Sequence, residues 1–113
     1  MDKEQLVYSL IKEAIEIGLQ DVDMENSKGG SQNMFGQYIP REIELKPGKS
    51  LFHIVRSGSD SVPNPRIREI GLKLHQLGGL ELMQVAYYEI IKPFGSHGPM
   101  LKYAWSNVGY WQN

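Results

Sequence analysis

"LHQLGGLELMQVAYYEI", residues 74–90, decides how the C-terminal half of the chain is built. It reads as helix on both sides of two adjacent glycines, the poorest ordinary helix formers. Gly78 follows Leu77 at the place where helices commonly end in a left-handed residue. Gly79 is then an acceptable N-cap for the next helix. The pair predicts a corner between two packed helices rather than a functional hinge, because loops this short normally join packed neighbours.

On the N-terminal side of the corner, Asn64 is placed to cap a helix and Pro65 to open it. Ile67, Ile70, Gly71, Leu74 and Leu77 then fall on one stripe. Gly71 costs about 1 kcal/mol of helix propensity relative to alanine, which argues that something packs closely against it. Beyond the corner, Leu82, Met83, Ala86, Tyr87, Ile90 and Ile91 form the next apolar face, and Lys92-Pro93 closes it. A last short helix is expected over 99–108, with Met100, Leu101, Ala104, Trp105 and Val108 inward and Gly109 at its end. His97 stands before it as a helix starter.

The N-terminus predicts a helix over 2–18. Asp2 and Gln5 make a capping-box pattern, Leu6, Leu10, Ile11, Ala14, Ile15 and Ile17 make the face, and Gly18 is placed to stop it. Residues 20–40 are rich in Asp, Asn, Ser, Gln and Gly and keep no period, so a long mobile loop is expected. Met34, Phe35, Tyr38 and Ile39 argue that its second half docks. Residues 41–56 read as a hairpin around a type II turn at Lys46-Pro47-Gly48-Lys49. Two strands alone are marginal in water, so this ribbon must lie on helices or pair with another chain. The expected architecture is a single domain over 1–113 of the α+β class, mainly helical. It comprises an N-terminal helix, a β-hairpin and a C-terminal three-helix sub-bundle over 64–111.

A length of 113 residues with 41% hydrophobic and 22% charged residues suits an ordinary globular core. A formal net charge of −1 disfavours nucleic acid and anionic membrane as partners. The chain has no cysteine, which excludes disulfides, thiolate nucleophiles and zinc–thiolate sites. The N-terminus is acidic and periodic, unlike a signal peptide, and no apolar run approaches a membrane span, so a cytoplasmic protein is expected.

Chemical motifs are sparse. "KPGKSL" lacks the first glycine of a phosphate-binding loop, where Ile43 stands, and is followed by strand rather than helix. His53, His75 and His97 show no metal-ligand spacing. No serine stands in a nucleophile elbow. Glu42 and Glu44 share one strand face as solvent-facing charges do. No catalytic residue, metal or cofactor is implied.

Two candidate sites remain. Residues 56–68, "RSGSDSVPNPRIR", read as strand, loop and helix start, where free N–H groups and the helix dipole favour an anion. Arg56, Arg66 and Arg68 would bind a phosphate or carboxylate, with Ser57, Ser59, Ser61 and His53 nearby. Loop composition alone accounts equally well for those residue types. The second candidate is aromatic: Tyr88, Tyr103, Tyr110 and Trp111 do not all fit inside so small a core and such residues favour protein contacts, while coverage of the core by the tail accounts equally well for them. The leading expectation is a non-enzymatic interaction module that self-associates, as a homodimer or with another protein, through the ribbon edge or the aromatic C-terminus. The alternative is a small-molecule or anion binder, conceivably an enzyme, centred on 56–68.

Overall fold

A computed structural model of the chain describes residues 2–57 and 60–112. The fold is α+β and mainly helical. Helix α1 spans Lys3–Leu19, and the hairpin strands β1 and β2 span Ser31–Gln32 and Tyr38–Ile39. A second hairpin, β3 at His53–Ser57 and β4 at Asp60–Pro63, leads into α2, Pro65–Ile91. A 3₁₀ turn over Lys92–His97 and the short α3, Met100–Ala104, complete the chain of elements.

Asp2 caps α1 as the sequence suggests, its Oδ1 accepting from the Gln5 N–H at 2.8 Å. Leu10, Ile11, Ala14 and Ile15 form the buried face. Gly18 does not stop the helix, which runs one residue further with right-handed backbone. Its role is packing: a Cβ there would stand 2.5 Å from Cζ of Phe94 and 3.1 Å from the Phe52 ring. The two rings meet edge to face at 5.5 Å, a favourable aromatic geometry.

Residues 20–40, expected to be irregular, are organised by their polar side chains. Asp23 Oδ1 accepts from the N–H groups of Glu25 and Asn26. Asn33 Oδ1 accepts from those of Phe35 and Gln37, both at 3.0 Å, and closes the β1–β2 hairpin. Such local bonds are how Asp and Asn build turns without an apolar period. The hairpin docks on α1 through Gln37 Nε2, which donates to the Lys12 carbonyl at 3.0 Å, and through the Tyr8 ring, 4.5 Å from that of Phe35.

The hairpin expected over 41–56 is corrected. Its turn forms: the Lys49 N–H reaches the Lys46 carbonyl at 3.1 Å, and Gly48 takes φ 75°. The arms pair elsewhere. Leu45 bridges Val22 and Glu42 bridges Lys28, while β3 pairs with β4. Alternating residues specify a strand with a buried side, and the partner is whichever segment completes that burial. Here Val22, 1% exposed, supplies it. Leu51 and Phe52 likewise leave the expected strand. They form a tight turn closed by the His53 N–H on the Ser50 carbonyl, and both side chains are fully buried.

Asn64 caps α2, accepting from the N–H groups of Arg66 and Ile67. The predicted corner is present, one residue later than expected: Gly79 has φ 69° and ψ −162°, whereas Gly78 stays helical. A single left-handed residue therefore joins arms 65–78 and 80–91. The last helix ends at Ala104, four residues short of the expected 108. Asn107 and Gly109 adopt φ 65° and 57° and turn the tail back. Trp111, expected at the surface, is corrected to the core: it is 7% exposed and its Nε1 donates to the Lys102 carbonyl at 3.2 Å.

Trp105 is the fully buried centre of the C-terminal half. Its indole lies on the bare backbone at Gly71 and donates to the Ile67 carbonyl at 2.9 Å. A Cβ on Gly71 would stand 2.7 Å from Nε1 and 2.8 Å from Cδ1. Gly71→Ala is expected to destabilise the fold by about 1–3 kcal/mol through overpacking, although helix propensity alone predicts a gain of about 1 kcal/mol. Urea unfolding followed by tryptophan fluorescence checks the sign, and a more stable variant would refute this account of the glycine.

Candidate functional site

Of the residues proposed over 56–68, Arg66 and Arg68 are engaged in bonds within the fold. Arg56 and Ser57 lie exposed on β3, Ser61 lies on β4, and Ser59 is outside the described residues. Arg66 grips Glu13 with two donors, Nε to Oε2 at 2.5 Å and Nη2 to Oε1 at 2.7 Å, and Nη1 meets Glu69. Arg68 Nη1 donates to the carbonyls of Ala104 and Ser106 at 2.9 and 2.8 Å, capping the end of α3. The helix-start amides of Arg66 and Ile67 are taken by Asn64. These groups tie α2 to α1 and α3.

His53 is bonded within its own turn. Its Nδ1 lies 2.9 Å from the Leu51 carbonyl, and it lines a 220 Å³ recess with Gln20, Asp21, Lys49 and Asn64. Burial raises the Asp21 carboxyl above its ordinary value, with Lys49 and Lys46 opposing. His75 packs edge to face on Tyr110 at 4.9 Å. Among the described residues there is no group of three or more His, Cys, Asp or Glu able to hold a metal ion. No helix among them is long and apolar enough to cross a membrane.

The aromatic set divides. Tyr88, Tyr103 and Tyr110 are 63%, 54% and 73% exposed, whereas Trp111 is buried. Tyr88 is fixed from below. Tyr88, Tyr87, Trp111 and Trp105 form a row of rings, each centroid 5.3 Å from the next, running from the surface to the centre of the core. A ring held this way loses little freedom when a partner covers it.

Beside Tyr88 lies a residue that the sequence reading passed over. Val85 is 60% exposed. With Glu81, Tyr88 and Lys92 it occupies positions i, i+4, i+7 and i+11, one stripe on the outer side of arm 80–91. The stripe is acidic at its N-terminal end, apolar in the middle and basic at its C-terminal end. Its signal in the sequence was a β-branched apolar residue off the inner face of Leu82, Met83, Ala86, Tyr87 and Ile90.

The Glu13–Arg66 pair carries a pH signature. Hydrogen bonds from Arg66 hold the Glu13 carboxyl below its ordinary value, against a smaller opposing effect of burial. A depressed carboxylate adds stability above its unfolded-state value, and that stability is lost as the pH falls through the folded-state value. Both side chains are 37% exposed, so the contribution is at most about 1 kcal/mol. The parent protein is expected to lose more stability than Glu13→Gln between neutral pH and the carboxylate range, measured by urea unfolding at each pH. Equal losses would contradict the assignment.

Comparison of the chain with protein-family models, with curated proteins and with solved structures finds no match in any of the three.

Proposed function

We propose that the protein is a self-associating interaction module, and that two copies meet along the outer stripe of residues 81–92. The observation that carries this reading is the order of the stripe, Glu81–Val85–Tyr88–Lys92. A two-fold contact is self-complementary by definition. When two such stripes run antiparallel, Glu81 of one copy faces Lys92 of the other, and Val85 faces Tyr88. Parallel alignment would instead place like charges together.

The energetics favour the centre. Val85 and Tyr88 supply apolar area that is wet in the single chain, at roughly 25 cal/mol per Å² removed from water. Tyr88 arrives already ordered by the ring row beneath it. The charged ends add register more than affinity. Lys92 Nζ already binds Glu89 Oε1 at 2.9 Å, and an ammonium has further donors for a second carboxylate. A contact centred on one helix stripe belongs to the small class of interfaces, so a dissociation constant on the order of micromolar is expected. Tyr103 lies on α3 and Tyr110 in the turn that follows it, and neither is part of the stripe.

Sedimentation across a concentration series tests the reading. The parent chain should move from monomer to dimer, and Val85→Glu or Tyr88→Glu should remain monomeric while keeping the parent's helical content. Glu81→Lys and Lys92→Glu should each weaken the dimer, and the two together should restore it. A parent chain that stays monomeric at high micromolar concentration would overturn self-association. Failure of the double variant to recover would remove the antiparallel stripe.

A further inference from the structure

A polar recess that shares Lys92 with the stripe lies between β2 and the 3₁₀ turn. Gly30, Ser31, Ile39, Pro40 and Arg41 form one wall, and Lys92, Pro93 and Gly95 form the other, around 480 Å³. A second lobe of 160 Å³ continues from it, sharing Arg41, Pro93 and Gly95 and ending at Ser96 and His97. We infer that this two-lobed cleft is a binding site for a small phosphorylated molecule carrying two anionic groups, one in each lobe.

Backbone geometry builds the walls. Gly30 takes φ 122°, and a Cβ there would fall 2.0 Å from the Ile39 carbonyl oxygen, so only glycine lets the strand approach so closely. Gly95, with φ 55° and ψ −128°, reverses the opposite wall. That wall is pinned by Phe94, 1% exposed, whose ring fills the space left by Gly18. The volume of the main lobe falls within the range of small-molecule sites.

The charges point to the ligand class. Arg41, Lys92 and Ser31 are among the residues lining the main lobe, and Arg41, His97 and Ser96 among those lining the smaller one. No carboxylate is among the residues lining either lobe. Arg66 is spent on Glu13 and Glu69, and Arg68 on α3 carbonyls, whereas none of the ion pairs among the described residues uses Arg41. Its guanidinium offers the flat fork that matches a phosphate with two bonds. Lys92 Nζ binds Glu89 Oε1 at 2.9 Å, and an ammonium keeps further donors for a second anion. The chain's formal net charge of −1 gives no general attraction for anions, so binding here depends on local groups. One chain contains the whole cleft, and apart from Lys92 its lining lies off the stripe, so the inference goes beyond self-association.

Isothermal titration at low salt tests it, with pyrophosphate as probe for two linked anionic groups and orthophosphate as the single-group comparison. Pyrophosphate should bind saturably at one equivalent per chain and more tightly than orthophosphate. Citrate and chloride at matched ionic strength should not compete. Arg41→Gln should weaken pyrophosphate about tenfold or more, the scale of a lost charge-assisted pair. His97→Gln should erode the preference for pyrophosphate over orthophosphate, and Arg56→Gln, an exposed arginine on β3, should change neither. Arg41 and His97 lie off the 81–92 stripe, so both variants should sediment as the parent does. Absence of saturable binding, unchanged affinity in Arg41→Gln and His97→Gln, or citrate binding as tightly as pyrophosphate would each overturn the proposal.

Discussion

The C-terminal half rests on one contact, the Trp105 indole lying across Gly71 and bonded to the Ile67 carbonyl. Helix α3 has five residues, far fewer than a helix needs to persist alone. It exists because its last turn delivers the largest fully buried side chain in the protein. Around that anchor the other contacts become affordable in entropy. Arg68 reaches the carbonyls of Ala104 and Ser106 only when α3 is held beside α2. Trp111 then closes over Trp105 and Tyr87. A side chain on residue 71 would lift the indole and loosen each of these in turn.

A second theme is how polar groups are used. Asp2, Asp23, Asn33 and Asn64 each satisfy backbone N–H groups at a helix start or turn. Arg66 and Arg68 satisfy a carboxylate pair and a helix end. Two of the three arginines read as an anion site in sequence thus serve as internal fastenings, since helix starts and helix ends need the same donors and acceptors that ligands do. Functional readings gain weight where side chains are left over. Val85 and Tyr88 are apolar and wet, and Arg41 is cationic with no carboxylate beside it in its cleft.

Local features were legible in the sequence because their causes are local. The Asp2 and Asn64 caps, the Pro47-Gly48 turn and the stripe on 65–78 depend on neighbours within a few residues. The corner was legible to within one position, since two adjacent glycines leave the choice of left-handed residue to packing. Gly78 is the crowded one, with Leu82 2.7 Å from where its Cβ would be. Strand pairing was not legible, because Leu45 could meet any extended segment that finished its burial, and Val22 lies across a stretch without period. Trp111 was misplaced for a similar reason. Only the reversal at Asn107 and Gly109 brings it under Tyr87, and counting aromatics against core volume does not reveal a reversal. For the sites, the arginines were visible but their partners, 53 and 38 residues away for Arg66 and Arg68, were not.

For association the sequence reading named the edge of the ribbon expected over 41–56 and the aromatic C-terminus; the ribbon present is β3–β4 instead. Ile54 and Val55 point to opposite faces of the β3–β4 ribbon, yet both are exposed, at 45% and 36%. The ribbon therefore stands off the body and is anchored at its base. There Phe52, buried with φ 64°, accepts from the Asn64 N–H at 2.9 Å. A non-glycine residue in that region costs on the order of 1 kcal/mol, which full burial of the ring offsets. Its edges are poor templates for another strand: a bulge between Val55 and Ser57 breaks the register, and Arg56 sits at the bulge. Bulges and edge charges are the usual guards against strand addition. The outer stripe of arm 80–91 has no such guard. Its charges sit at the ends and its apolar residues at the centre, the arrangement on which the proposed contact rests.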